Sequence, residues 1–590
     1  MRTIFSLLLA ALLCPLLSVA NEQDNRFKAL PPGTPVLALS GVEAFGLGGI
    51  RGTSEIVKIT GQPFDQAMQI VTKARPENPF GVQMTSRTIA PVEKDDRLLA
   101  VFWARVLDPL PASGEGRTAF IFELNKDPYT KCADYPVNLG REWEQFYVPF
   151  TAKMSHATGS ANIIFRAGYD PQTIQIAGVQ VINYGAAVEM KALPFTVQSY
   201  AGRAVDSPWR TAAAERIDRL RKGDLEVVVT RGGKPAVGVD VKVAMQRHAF
   251  AWGSAVDAKR LLEKSADADR YRELILKLFN KVVIENHLKW PVWEKDRETG
   301  PAAVAWLREH GLGVRGHTLL WPGWKNLPKS LRSLEGDPPK LRAAVLDHVR
   351  DEATAFRGQL VEWDVVNEPY TNKDLQPILG EEILADAFRA AHEADPAAKL
   401  YINDYSILSS GGTDFAHQDH YEKTIRALLA AGAPVQGIGM QGHFGEDLTP
   451  PERMLAILDR FAALGLPIQI TEHDVNVYDE TLGADFTRDL LTVAFSHPAV
   501  VGVLTWGFWE KAHWIPNAAY YAKDWTLRPA GKAWQDLVMK EWWTDVTVKT
   551  DERGVARVRG FQGEHAVTAG SSAKPATIGK QTTRVTIDLN

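Results

Sequence analysis

The sequence predicts an α/β chain built on a closed (β/α)8 (TIM) barrel, with an antiparallel β-sandwich before it and a small β appendage after it. Three observations carry this. Short runs alternating between apolar and polar residues fill about Ile50 to Gly185, the period-2 mark of a sandwich. From His248 to Trp543 the rhythm changes to short apolar strands alternating with amphipathic stretches of helical spacing. Beyond Trp543 the alternation returns. At ~100–200 residues per domain, 590 residues call for about three to five units, or fewer if one is a large barrel.

Residues 1–20 read as a targeting segment, with Arg2 as the positive start, Ile4 to Leu13 as the apolar run, and Ser18-Val19-Ala20 as the small-residue cleavage site. Export to the periplasm or the medium is therefore expected. Cys14 follows Leu13 inside the apolar run, where a lipid-anchoring signal would want a small residue. No later apolar run reaches ~18 residues, so no membrane span is expected. Removal of the segment leaves Cys132 as the sole cysteine, which excludes an internal disulfide or a cysteine metal cluster.

Residues 21–190 hold the sandwich runs SEIVKIT, RLLAVFWARV, TAFIFEL, EQFYVPF, ANIIFRAG and IQIAGVQVINY, divided by Pro, Gly and Asp turns. Trp103 and Trp143 lie within these alternating patterns and are expected in the core. Residues 191–245 form a connector whose basic stretch RIDRLRKGD reads as a solvated helix face. A strand pair turning at Gly232-Gly233 follows it.

Residues 246–543 supply eight strand candidates: AFAWGSAV, KVVIEN, LGVRGH, VEWDVVN, KLYIN, GIGMQ, PIQIT and VGVLTW. Their unbroken apolar character suits a parallel sheet covered on both faces. Eight such strands with interposed helices in about 300 residues fit the barrel. A doubly wound open sheet is the rival, but no glycine-rich phosphate loop follows the first strand. Residues 544–590 make the appendage.

Charge excludes some partners. With 67 basic and 71 acidic residues, a net of −4, nothing in the balance favours nucleic acid or an anionic membrane. Tryptophan points elsewhere: 14 of the 17 fall between Trp252 and Trp543, either as packing or as flat apolar faces for a ligand. Trp290, Trp293, Trp306 and Trp534 are expected to be packing.

The chemistry lies at the strand ends, the working face of such a barrel. Seven of the eight end in polar or indole groups: Glu285-Asn286, His317, Asn367-Glu368, Asn403-Asp404, Gln441 with His443, Glu472 and Trp506. Glu368 and Glu472 close strands four and seven, on opposite sides of the mouth. A carboxyl pair across a sugar is what glycosidic cleavage requires: one protonates the leaving oxygen and the other attacks or activates water. No HExxH or comparable ligand spacing appears, so neither a metal nor another cofactor is expected.

The segments WDVVNEP (363–369), ITEHDV (470–475), ENHLKW (285–290), RGHTLLW (315–321), LYINDY (400–405) and GIGMQGH (437–443) resemble glycoside hydrolase family 10. The likeness covers roughly 246–543. It implies a secreted retaining endo-β-1,4-xylanase acting on xylan or xylo-oligosaccharides. It further implies Glu368 as acid/base, Glu472 as nucleophile, His443 as the group holding the nucleophile, and Asn367 as the contact to the sugar 2-hydroxyl. Glu285, Asn286 and Lys289 match the polar group two sugars from the cleaved bond, and His317, Trp321 and Gln441 the surroundings of the cleaved unit. Trp506 and Trp514 match the two indoles walling the glycone side. The sandwich, through QTIQIAGVQVINYG (172–185), resembles carbohydrate-binding modules found upstream in such enzymes.

Three positions depart from the family. Trp321 is followed by Pro322-Gly323-Trp324 where a histidine is usual, Ile515 stands where arginine is common, and His473 stands where an apolar residue is usual. Decorated xylan or another β-linked glycoside therefore stays open as substrate. So does, in a different class, a glycan-binding protein without turnover.

Overall fold

The structure, a computed structural model, describes residues 22–38, 41–49, 51–108, 114–196 and 199–589. The targeting segment expected at 1–20 lies outside the described residues. No described helix is long and apolar enough to cross a membrane. The chain divides into two compact units, Met1–Ala201 and Gly202–Asn590.

The first unit is an antiparallel sandwich. One sheet runs Gly52–Lys58, Gln66–Thr72, Gln172–Asn183, Arg97–Asp108, Glu144–Thr151, with Thr34–Pro35 paired to Gln172–Asn183. The other runs Gly46–Gly48, Gln83–Arg87, Ala161–Arg166, Gly116–Leu124, Lys131–Leu139. Even-numbered residues of Arg97–Asp108, among them Leu98, Phe102 and Val106, face a core shared with Phe120, Phe146 and Phe165. Leu99 and Val101 take the opposite phase and are buried under Tyr147, Tyr184 and Leu193.

Trp103 shares that outer phase, which corrects the expectation that it and Trp143 belong to the core. Both are half-buried on the outer face, where Phe64 lies 5.8 Å from Trp103 and 4.8 Å from Trp143. Strand parity is the reason: Trp103 is odd in a strand whose core residues are even.

The second unit contains the barrel. Its strands are β1 (Ala251–Val256), β2 (Lys281–Ile284), β3 (Gly313–Leu320), β4 (Glu362–Asn367), β5 (Lys399–Asp404), β6 (Gly437–Met440), β7 (Ile468–Val475) and β8 (Val500–Thr505). Each pairs in parallel with the next, β8 pairs with β1, and all eight coincide with the apolar runs read from the sequence. Amphipathic helices such as Pro338–Ala355, Glu382–Ala394 and Glu480–Ser496 cover the outside. The last of these starts where Asp479 accepts hydrogen bonds from the free N–H groups of Thr481 and Leu482.

The barrel interior is polar as well as apolar. Arg315, fully buried, donates to Asp364 at 3.1 Å and to Glu362 at 2.8 Å. Lys281 and Gln469 also donate to Glu362, at 2.8 and 2.7 Å. Buried charges survive only when paired in this way.

The segments on either side of the barrel behave differently from the separate connector and appendage expected of them. Strand Lys222–Arg231 pairs antiparallel with Val555–Phe561 and parallel with Thr583–Leu589. Asp240–His248 pairs with Asp545–Lys549 and Gly563–Ala569. The two sheets enclose one core of Leu225, Val227, Val229, Val241, Val243, Val567 and Ile587. Both segments contribute to that one core, so each completes the other. The basic stretch ahead of them, in helix Pro208–Arg221, is also not simply a solvated face. Arg216 donates to Ser496, and Arg221 donates to the carbonyls of Phe495, His497 and Val500.

Candidate active site

The cleft sits at the C-terminal ends of the barrel strands and has a volume of about 530 Å³. Glu368 follows β4 in a left-handed backbone conformation, φ 51°, that non-glycine residues adopt at a cost of about 1–3 kcal/mol. Pro369 disfavours the right-handed helical alternative. The Asn403 carbonyl accepts the Glu368 N–H at 2.8 Å and holds the turn. The carboxyl group lines the cleft and accepts from Gln441 Nε2 at 2.9 Å and Asn372 Nδ2 at 3.1 Å. Burial raises its pKa from the ordinary carboxylate value. Gln441 and His317 oppose this, while the charges of Glu472 and Asp404 add to it.

Glu472 lies on β7 and lines the same cleft. It accepts from Asn403 Nδ2 at 2.7 Å, and its other oxygen is 3.2 Å from His443 Nε2. His443 Nδ1 is in turn 3.0 Å from Asp474. Burial alone would lower the His443 pKa, but Asp474 and Glu472 outweigh it and hold the value at about 10. The imidazolium therefore donates from both nitrogens, one to each carboxylate. Gly442, at φ 87°, lets the chain turn between Gln441 and His443, and these neighbours serve different carboxyl groups.

Ten of the twelve residues anticipated from the sequence line this one cleft. Besides the four above they are Glu285, Lys289, His317, Trp321, Trp506 and Trp514. Asn286 stands behind, accepting from Lys289 Nζ at 3.0 Å. Asn367 is fully buried beneath the acid; its oxygen accepts from Asn403 at 3.0 Å, and its Nδ2 has no protein partner. The indole N–H of Trp321 is likewise buried without a protein partner. His317 Nδ1 is 3.0 Å from Asp364, which joins the cleft to the ion network below. Burial lowers the Lys289 pKa, and Glu472, Glu285 and Glu368 counter it. Trp514 is 54% exposed, with its N–H 2.7 Å from Asp474 and its ring 4.8 Å from His443, so it presents an open flat face.

Residues 241–536 match the family model for Glycosyl hydrolase family 10. The chain belongs to that family.

Among its relatives, this family 10 chain is similar to Anti-sigma-I factor RsgI6 of Acetivibrio thermocellus, 34% identical over 367 residues, which cover 61% of this chain and 46% of that protein. It is also similar to Endo-1,4-beta-xylanase 1 of Arabidopsis thaliana, 30% identical over 358 residues, with 59% and 36% covered. The matched regions thus span less than half the length of these curated relatives. Of solved structures it resembles xylanase 10B from Thermotoga petrophila in complex with xylobiose, 28% identical with a TM-score of 0.46, covering 50% of this chain and 95% of that one.

Sequence reasoning missed several residues of this family 10 cleft. Asp474 carried a signal, because it lies two residues beyond Glu472 on one strand and so shares its face. Asn403 was visible as a polar strand end, but its bridge between Asn367 and Glu472 depends on side-chain geometry. Asn372 and Tyr405 come from loops and have no periodic signal. His473, which takes the opposite strand phase, is buried outside the cleft. Burial lowers its pKa to about 4 and keeps it neutral, so it occupies the position of an apolar residue.

Proposed function

We propose that the protein is a retaining β-glycoside hydrolase of the endo-1,4-β-xylanase kind. The observation that supports this most is the contrast between two carboxyl groups on one cleft. Glu368 is desolvated beside a second negative charge, which raises its pKa, whereas Glu472 is held between Asn403 and a charged His443.

In the first step Glu472 attacks the anomeric carbon while Glu368 gives its proton to the departing glycosidic oxygen. In the second, Glu368 takes a proton from water, which displaces Glu472 and releases the sugar in its original β configuration. Retention calls for carboxyl groups ~5–5.5 Å apart. The free donors of Asn367 and Trp321 suit hydroxyls of the cleaved sugar, where a contact that tightens as charge develops speeds the reaction. Trp514 suits the C–H face of a neighbouring ring.

Export through residues 1–20 is part of this reading, and N-terminal sequencing of the mature protein tests it. So is glycan binding by the sandwich, supported by the outer-face group of Phe64, Trp103 and Trp143.

The deciding experiment follows xylo-oligosaccharide hydrolysis by NMR. The expected result is β product first, with Glu472→Ala abolishing turnover. Initial α product, or no turnover of any xylo-oligosaccharide by the unaltered protein, overturns the proposal.

A further inference from the structure

A side groove of about 630 Å³ lies beside the cleft, between the residues after β3 and the loop after β4. Lys325 and Thr371 line both spaces, so the two adjoin. The groove is built at the point where the sequence departs from its family, Pro322-Gly323-Trp324. That segment is tied down. The Pro322 carbonyl accepts from Leu375 N–H at 3.2 Å, Trp324 N–H donates to Asp374 at 2.8 Å, and Asn326 donates to Asn372 at 2.9 Å. A side chain at position 323 would meet Asn372 at 2.8 Å, so glycine permits the approach.

The groove is lined by two basic residues, Lys325 and Arg332, and two acidic ones, Glu335 and Asp374. Arg332 lies over the Trp324 ring at 4.7 Å and is 3.1 Å from Glu335. Asp374 is occupied by the Trp324 N–H. Lys325 is exposed and has no ion-pair partner among the described residues. Lys289 and His443, the other cations of the cleft, face its carboxyl groups, so Lys325 on the shared wall is left for a ligand.

A polysaccharide backbone passing between Glu368 on β4 and Glu472 on β7 runs along the wall made by the loops after β3 and β4. A substituent on that flank would point toward the groove. We infer that the groove takes a side branch of the polysaccharide, and that Lys325 pairs with the carboxylate of an acidic branch of the uronic acid class. This rests on the β-glycan reading above. An exposed ion pair supplies a modest preference, about two- to fivefold at low ionic strength, and added salt screens it.

The test measures kcat/KM of the full chain on three substrates. These are a linear xylo-oligosaccharide, one carrying a uronic acid branch, and the same branched compound with its carboxyl reduced to the alcohol. The acidic branch should be favoured over its reduced form by about two- to fivefold in 20 mM salt, and this ratio should fall toward one in 0.5 M salt. Lys325→Gln should bring the ratio to one, Lys325→Glu should invert it, and Lys325→Arg should keep it. A ratio that is one in the unaltered protein, or that survives Lys325→Gln, overturns the branch site while leaving the β-xylanase reading intact. Failure on all three substrates overturns both.

Discussion

Glu368 is placed so that its proton is hard to lose, and the causes can be separated. Burial comes first, and the negative charge of Glu472 adds to it. As pH rises through this elevated pKa the acid is spent, so kcat/KM should fall on the alkaline side. Replacing Glu472 with Gln removes the charge but keeps the shape, so deprotonation of Glu368 becomes easier and its pKa should drop. A ¹³C NMR titration of the Glu368 carboxyl in both proteins checks this; an unchanged or higher pKa in Glu472→Gln contradicts the assigned coupling. The effects on stability have opposite signs. Glu368 binds its proton more tightly folded than unfolded, so its titration lowers stability as pH rises through the folded value. At Glu362, burial is outweighed by Lys281 and Arg315, which hold the pKa at about 2. The stabilisation from those pairs is present above the unfolded carboxylate pKa and is lost as pH falls toward 2.

Helix Pro208–Arg221 shows what a single side chain does for an element. Arg221 donates to the carbonyls of Phe495 at 2.6 Å, His497 at 2.7 Å and Val500 at 2.8 Å, and lies over the rings of Phe250 and Phe495. It thereby satisfies carbonyls where helix Glu480–Ser496 ends and β8 begins. Arg221→Ala should cost about 1–3 kcal/mol, because those acceptors lose their donor together. Urea denaturation measures it, and a change within ±0.3 kcal/mol would refute the capping role. Nothing in RIDRLRKGD distinguishes this arginine from its solvated neighbours, because its partners lie more than 270 residues away. The barrel strands were legible for the contrary reason: burial on both faces writes a mainly apolar run, without polar alternation, into each segment. The cleft was legible where residues follow or continue an apolar strand run, as Glu368 does after β4 and Glu472 on β7. It was illegible where a loop supplies the group, as with Asn372.

At the scale of the whole chain, the barrel of the second unit is bracketed by two segments that make a single sandwich. Strand Lys222–Arg231 leads into Asp240–His248, and β1 begins at Ala251, directly after it. The partners of both strands come after Trp543. Local alternation predicted strands in both segments. Their mutual pairing was invisible because register across some 300 residues leaves no local pattern. The junction is closed by His248, whose Nε2 lies 2.6 Å from the Trp542 carbonyl and whose ring meets Trp252, Trp543 and Phe561. A chain ending at Trp543 would keep every cleft residue yet expose Leu225, Val227, Val229, Val241 and Val243, each worth about 1.5–3 kcal/mol when buried. Such a truncation should melt well below the full chain and aggregate. Val227→Asp, in the full chain, should lower the melting temperature by placing a charge in the same core while sparing the family 10 cleft. Calorimetry of the three proteins decides the matter: a truncated chain melting at the full-length temperature would mean that the barrel stands without its bracket, and that the sandwich does not hold the barrel's ends.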